Sequence, residues 1–294
     1  MNRLTRIRVV AAAIATLLTT SALFAQSEKV SIRMAPRPDQ TVRLSMLQEM
    51  DFDVSFDGAA PPGAMPMKMV MRSTMRMTQR IGALKPDGSV DAQLSYDEVR
   101  VEMSMNGQTI PADAGNALAG KTIGVTYNRN GEIVDVKDVP GLGLTPDAFK
   151  QLMGSFMGNL PGTALAIGET TTAPLNMALP IPLPSLAQMN VTGNTTLTLA
   201  SIDNDAQGRS ARFDSVVDGK MVSDLPSPDG QGKASLSFTI GGNGTTVMDL
   251  DRGVVRSSLS TSTFDGKVDV AGAGGLPGMN MRGTIKVTVT SQGQ

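Results

Sequence analysis

Methionine recurs at every second position in one segment of this chain, and this spacing limits what the segment can become. The methionines lie at odd positions between residues 65 and 77: Met65, Met67, Met69, Met71, Met75 and Met77. Successive side chains of a β-strand point to opposite faces of the sheet, so the spacing predicts a strand with six thioethers on one face. The other face would carry Lys68, Arg72, Arg76 and Arg80. The segment therefore predicts a sheet that is apolar on one side and charged on the other.

Two flanking segments show the same alternation. Residues 41–56 carry apolar side chains at most even positions. In residues 90–105 the apolar side chains lie at even positions as far as Tyr96 and at odd positions from Val99 onward. A slip of one residue would turn every later side chain to the wrong face. We therefore expect a β-bulge at Asp97-Glu98 that restores the phase.

Further runs with a period of two follow in the second half of the chain, whereas one segment has helical periodicity. The runs lie at 189–199, 211–221, 234–240, 246–250, 255–270 and 281–289. Thr145 and Pro146 suit a helix start, and apolar residues then recur every three or four positions, which predicts an amphipathic helix over about 146–160. One helix cannot cover about eleven one-sided strands. We therefore expect a mainly β fold, in which long curved antiparallel strands form an open half-barrel or a two-layer sheet.

The amino-terminal segment has the layout of a secretory signal peptide. Three arginines precede an uncharged run from Val9 to Ser27, and small residues near Ala25 offer a cleavage site. We expect residues 1–25 to be removed and the mature chain to be extracytoplasmic, either periplasmic or secreted. No stable membrane insertion is expected after cleavage, because polar residues interrupt the apolar run.

Length and charge limit the domain organisation and the partners. We expect residues 26–294 to form a single β-rich domain, or two halves, 41–160 and 186–291, joined by a Pro-rich segment, 161–185. Signal cleavage would remove three of the 26 basic residues and none of the 27 acidic ones, leaving a net charge of −4. Without a basic excess the chain has no means of gathering phosphates, which excludes nucleic acid as a partner.

Two short motifs match ligand-binding loops. Residues 115–122 fit the phosphate-loop pattern G-x-x-x-x-G-K-[ST], but β-like residues follow where a helix is required, so we expect no nucleotide. Asp203, Asp205 and Asp214 match the first, third and twelfth positions of a calcium loop. Strand patterns flank this loop where helices should, which favours a polar hairpin turn and leaves calcium as the lesser alternative.

The composition argues against catalysis. The chain has no His and no Cys, which removes the Ser-His and Cys-His nucleophile systems and the usual zinc sites. It also has no Trp and two Tyr, so a stacking platform for sugars is hard to build. The acidic residues of the first and third strands lie on polar faces, where solvation accounts for them. We expect no enzymatic activity and no cofactor.

Methionine itself offers two chemistries. Thioethers are soft ligands that select Cu(I), and the set suggested by the spacing is Met65, Met67, Met69 and Met71. Met side chains are also flexible and polarizable, so they line cavities for loosely specified apolar ligands.

Two short segments resemble those of uncharacterised exported bacterial β-rich proteins. They are Leu118–Thr122, which enters a hairpin, and Ala166–Thr170, which follows the predicted helix. Long curved strands around a helix are also similar in fold to the half-barrels of periplasmic lipoprotein carriers. That resemblance implies an apolar concavity that shelters acyl chains, but no ligand residue carries over by motif.

The leading hypothesis is a soluble extracytoplasmic binding module, non-catalytic, for a lipid, another apolar ligand or an acylated partner. The side chains expected to form its apolar face are Met46, Met50, Phe52, Met67, Met69, Met71, Met75, Leu94 and Phe156. Two alternatives stay open. One is a Met-based Cu(I)-binding protein, and the other is a structural or assembly protein whose concave face is filled by its own helix.

Overall fold

The fold consists almost entirely of β-strands. The computed structural model describes residues 28–31, 37–57, 66–110, 118–137, 139, 145–147, 150, 162–179, 189–226, 233–271 and 278–293. Fourteen strands run through these residues. They are β1 (Lys29–Ser31), β2 (Thr41–Phe56), β3 (Met67–Leu84), β4 (Val90–Met105), β5 (Gln108–Ile110), β6 (Thr122–Tyr127), β7 (Ile133–Lys137), β8 (Ala164–Ala166), β9 (Thr170–Leu179), β10 (Met189–Asp205), β11 (Gly208–Pro226), β12 (Lys233–Asp249), β13 (Val254–Ala271) and β14 (Met279–Gly293).

One large antiparallel sheet contains twelve of these strands. Its order is β7-β6-β4-β3-β2-β14-β13-β12-β11-β10-β9, with β5 paired to β4. The first and last parts of the chain meet in the middle of the sheet, where β14 pairs with β2 from Met279 opposite Phe56 to Gly293 opposite Val42. Within the described residues β7 and β9 end this strand order and do not pair with each other, so the sheet is open. The predicted mainly β, antiparallel and open architecture is confirmed.

The bulge predicted from the shift in apolar phase is present. Arg76 of β3 lies opposite Glu98 of β4, whereas the next residue, Met77, lies opposite Tyr96. Asp97 is therefore the extra residue, and its carboxylate accepts a hydrogen bond of 2.6 Å from the Thr78 hydroxyl. The bulge places the apolar residues on both sides of it on the same face of the sheet.

Several predicted features lie outside the described residues. These include the signal peptide over 1–25 and almost all of the helix over 146–160, of which Pro146, Asp147 and Lys150 have helical backbone. The helix therefore stays a prediction. In the part of the chain that the structure describes, no helix has the length and apolar character needed to span a membrane.

The Pro-rich segment 161–185 contains two strands that the periodicity did not reveal. Strand β8 pairs with β1 in a separate two-stranded sheet, and β9 pairs with β10. Pro174 lies within β9. Because β9 is an edge strand, one side of its backbone has no ladder partner in the described part of the chain, and a residue without an N–H is tolerated there.

Among the described residues, three clusters of buried side chains form the core, and their members come from strands β1, β3, β4 and β6–β12. The first lies among β3, β4, β6 and β7 and includes Leu94 and Ile123. In the second, Val30 and Leu165 of the two-stranded sheet pack with residues of β10–β12 such as Phe213. The third includes Phe238 and lies among β9–β12. Between these clusters lies the methionine-rich part of β2 and β3.

Candidate functional site

The pairing of β2 with β3 aligns the methionines in cross-strand pairs. The directly opposite pairs are Met46–Met75, Met50–Met71, Phe52–Met69 and Val54–Met67. Directly opposite residues in an antiparallel pair have Cβ atoms about 5 Å apart, so their side chains contact one another. The register between β2 and β3 therefore joins the apolar residues of the two strands into one surface, and the sequence did not specify that register.

Strand β4 extends this surface by two residues that were not among the predicted site residues. Met103 lies opposite Met71, and Met105 lies opposite Met69. They share the face of the β3 methionines because the extra residue Asp97 turns the rest of β4 over to that face. In the sequence, the change of the apolar residues from even to odd positions within 90–105 indicated this. We define the methionine face as Met46, Met50, Phe52, Met67, Met69, Met71, Met75, Met103 and Met105.

The methionine face is less buried than the core beside it. Met67 is 36% exposed and Met105 is 38% exposed, and the other seven residues are half-buried. Leu94, predicted as a ligand contact, is only 1% exposed. It belongs to the first core cluster, where side chains of β3, β4, β6 and β7 pack together, and is closed to a ligand in this structure. Met65 and Phe156 lie outside the described residues.

An aromatic contact connects the methionine face to the third core cluster. The rings of Phe52 on β2 and Phe264 on β13 have centroids 4.9 Å apart, although β14 runs between these strands. Gly283 of β14 lies opposite both residues. A Cβ at Gly283 would overlap the Phe264 ring, so the absence of a side chain lets the two rings meet. Phe264 in turn packs against the cluster that contains Phe238.

The opposite face of the same strands is charged and carries a groove. The groove has a volume of about 970 Å³, and its lining includes Asp51, Lys68, Asp265 and Arg282. Lys68 Nζ lies 3.4 Å from Asp51 Oδ1, and Arg282 Nε lies 2.8 Å from Asp265 Oδ2. All four side chains are more than half exposed, so each pair contributes no more than about 1 kcal/mol. These ion pairs make a solvated charged surface.

The alternation predicted that the hollow side of the sheet would be apolar, whereas the groove that the structure describes lies on the charged side. Strands of this length twist strongly. Curvature is a property of the assembled sheet, which is why the side-chain pattern alone did not locate the groove.

Groups with shifted pKa values lie away from the methionine face. Burial raises the pKa of Tyr127 to about 12. The pKa of Asp91 is lowered because Lys85 donates a hydrogen bond of 2.6 Å to its carboxylate. The pKa of Glu169 is lowered because the backbone N–H of Ala166 donates to it at 2.9 Å. Each shift thus reflects a contact that stabilises a turn, a strand pair or the core.

The calcium-like loop is a hairpin turn between β10 and β11. Asp205 lies opposite Gly208, and its carboxylate accepts a hydrogen bond from the backbone N–H of Gln207. Asp203 accepts from Ser201, while Asp214 lies farther along β11. Among the described residues, no three His, Cys, Asp or Glu side chains form a group that could hold a metal ion. The predicted calcium ligands are therefore not brought together.

The segments that carry the resemblance to exported bacterial proteins both form a turn that leads into a strand. Gly120, at φ 76°, precedes β6, which begins at Thr122 where a phosphate loop would need a helix. Gly168, at φ 84°, precedes β9, and the Glu169 side chain also forms an ion pair of 3.3 Å with Lys29. Residues 115–117 of the phosphate-loop pattern lie outside the described residues.

No protein-family model and no curated protein matches this chain. Solved structures with weak similarity include lipovitellin and outer membrane proteins. A structure addressing lipid-protein interactions in lipovitellin has a TM-score of 0.46 and 13% identity, covering 88% of this chain and 26% of the other. The outer membrane protein OprG from Pseudomonas aeruginosa has a TM-score of 0.22 and 9% identity, covering 89% of this chain and 99% of the other. An outer membrane channel from Pseudomonas putida F1 has a TM-score of 0.22 and 8% identity, covering 91% and 98%.

This chain spans about a quarter of the lipovitellin chain that it matches. At these TM-scores the similarities establish neither a shared fold nor a function. What this protein binds has to be inferred from its own residues.

Proposed function

We propose that this protein is an extracytoplasmic, non-catalytic binding module for an apolar ligand such as an acyl chain, carried by a free lipid or by an acylated partner. The observation that carries the proposal is the methionine face. Its side chains are aligned by strand register, yet they are less buried than the core clusters beside them. The layout of residues 1–25 as a signal peptide supports the compartment.

The dimensions of the methionine face suit an extended hydrocarbon chain. From Met67 to Met75 the strand advances by eight residues, or about 26 Å, and the three strands β2, β3 and β4 span about 10 Å between their outer axes. The sheet area beneath the face is therefore on the order of 260 Å². The largest apolar patch on a typical monomer is roughly 300–600 Å² and is often functional, so the methionine face lies just below that size range.

The chemistry of the face supports an apolar and loosely specified ligand. Its nine residues include no charged side chain, and eight of the nine are unbranched thioethers that fill irregular spaces. One polar pair, Gln48 opposite Ser73, lies on the same face between the rows of Met46 and Met50. A few polar groups in an apolar site orient a ligand, and in this proposal the pair contacts the polar end of the ligand.

The proposal is tested with an apolar fluorophore and adjacent charge substitutions on β3. Met71→Glu places a carboxylate on the methionine face, whereas Val70→Glu places the same group on the charged face one residue away. We expect the first substitution to reduce uptake of N-phenylnaphthylamine and the second to leave it unchanged, because burying a charge opposes binding of an apolar molecule. Native mass spectrometry of the protein before and after delipidation gives an independent measurement.

Folding is checked by the denaturation midpoint of each variant. If Met71→Glu does not fold, Met105→Gln is the substitute, because its side chain is 38% exposed and contributes less to the core. Equal uptake by the Met71 and Val70 variants would reject the methionine face as the site. No copurifying lipid and no fluorophore uptake by the wild type would instead favour a structural or assembly protein.

A further inference from the structure

Three methionines lie in one row across three neighbouring strands. Met50 of β2 lies opposite Met71 of β3, and Met71 lies opposite Met103 of β4. Neighbours across strands have Cβ atoms about 5 Å apart, whereas neighbours on the same face along one strand are about 6.6 Å apart. The methionines whose Cβ atoms lie closest together therefore form a row across the sheet. It differs from the set along β3 that the spacing suggested, which was Met65, Met67, Met69 and Met71.

The side chains of this row can converge. Met has three rotatable bonds, so the sulfur atoms of the two outer residues can lean over the central one. The adjacent row supplies two further thioethers, from Met69 and Met105, and ends at Phe52. Among the described strand residues, the row of Met50, Met71 and Met103 thus offers three sulfur ligands in a line.

The row is partly accessible to solvent, and no His or Cys competes with its sulfur atoms as a metal ligand. Its three side chains are half-buried. The Met50 sulfur accepts a hydrogen bond of 3.4 Å from the Gln48 amide through one lone pair, which leaves its second lone pair for a metal ion. The chain contains no His and no Cys that could compete for a soft metal. Partial exposure would let a bound monovalent charge remain partly hydrated, which lowers the cost of placing it on an apolar face.

We propose that Met50, Met71 and Met103 form a binding site for Cu(I). Thioethers are soft ligands that favour Cu(I) over hard cations such as Mg²⁺ and Ca²⁺, so donor type rather than charge would set the selectivity. The site shares Met50, Met71 and Met103 with the methionine face, but Cu(I) binding depends on the sulfur atoms, whereas apolar ligand binding depends on the hydrophobic area.

Anaerobic titration of the full chain with Cu(I), in competition with ferrozine as a weak chelator, tests the site. Met71→Leu removes the central sulfur and keeps the side-chain volume and the apolar surface. Met248→Leu is the matched control, since Met248 is 2% exposed in the second core cluster. We expect the wild type to bind one Cu(I), the Met71 variant to bind at least about 10-fold more weakly, and the control to match the wild type.

X-ray absorption of the Cu(I)-loaded protein should show sulfur as the nearest scatterer. If Met71→Leu does not fold, Met103→Leu takes its place. Failure of the wild type to compete with ferrozine would overturn the site, and so would equal affinity in the Met71 variant and the wild type. Fluorophore uptake by the wild type is measured separately, so failure of the copper site and failure of the apolar site are distinct results.

Discussion

Replacing Leu94 with alanine distinguishes the closed core from the accessible part of the apolar face. The Leu94 side chain is 1% exposed and lies in a cluster with Tyr96, Ile123 and Val125. The substitution removes three carbons, which at about 0.8 kcal/mol each amounts to about 2.4 kcal/mol of lost transfer free energy. The cavity left behind raises the expected loss to roughly 3–5 kcal/mol in the free energy of unfolding.

Urea denaturation of the purified variant measures this loss. The control is Leu84→Ala, which makes the same chemical change on a side chain that is 62% exposed. We expect the control to change the free energy of unfolding by less than about 0.5 kcal/mol. If Leu94→Ala were no less stable than the control and instead reduced fluorophore uptake, Leu94 would be a ligand contact, and the assignment of the first core cluster would be wrong.

The sheet geometry and one buried tyrosine support three further predictions. Deleting Asp97 should destabilise the protein far more than Asp97→Ala, because only the deletion shifts the rest of β4 to the wrong face; urea midpoints compare the two. Gly266→Ala should cost about 1–3 kcal/mol, since its Cβ would overlap the buried Phe238 ring, while Gly241→Ala, with open space around it, should change the midpoint little. Burial raises the pKa of Tyr127 from 10.0 to about 12, so the unfolded chain loses this proton first. Stability should be complete below about pH 10 and fall by roughly 2–3 kcal/mol by pH 12, and Tyr127→Phe should flatten that slope in denaturation measured across this range.

Much of the strand content was predictable because the alternation of side chains is a local property of an extended backbone. The runs in 41–56, 65–80 and 90–105 identified β2, β3 and β4 and the face each would bury. The bulge at Asp97 was predictable for the same reason, since apolar residues can change phase within one strand and stay on one face only if an extra residue is inserted. The edge strand β9 was not, because Pro174 breaks the expected pattern and is tolerated only where one side of the backbone is unpaired.

The candidate site was predictable only in part. Seven of the nine residues of the methionine face followed from the periodicity of β2 and β3, whereas Met103 and Met105 joined it through the pairing of β4. The periodicity also assigned Leu94 to this face, but it did not show that the Leu94 side chain is buried whereas the methionine side chains are partly accessible. Accessibility depends on which neighbours pack over a residue, and periodicity carries no information about neighbours.

The sequence by itself determined that this protein is a sheet with an apolar and a charged side, because a period of two in hydrophobicity can be satisfied only by strands that bury one face. Only the tertiary structure decided that the last strand joins the first long strand, that thioethers meet in rows across β2, β3 and β4, and that the charged side holds a groove. These features depend on register and twist, which are set by contacts between residues far apart in the chain.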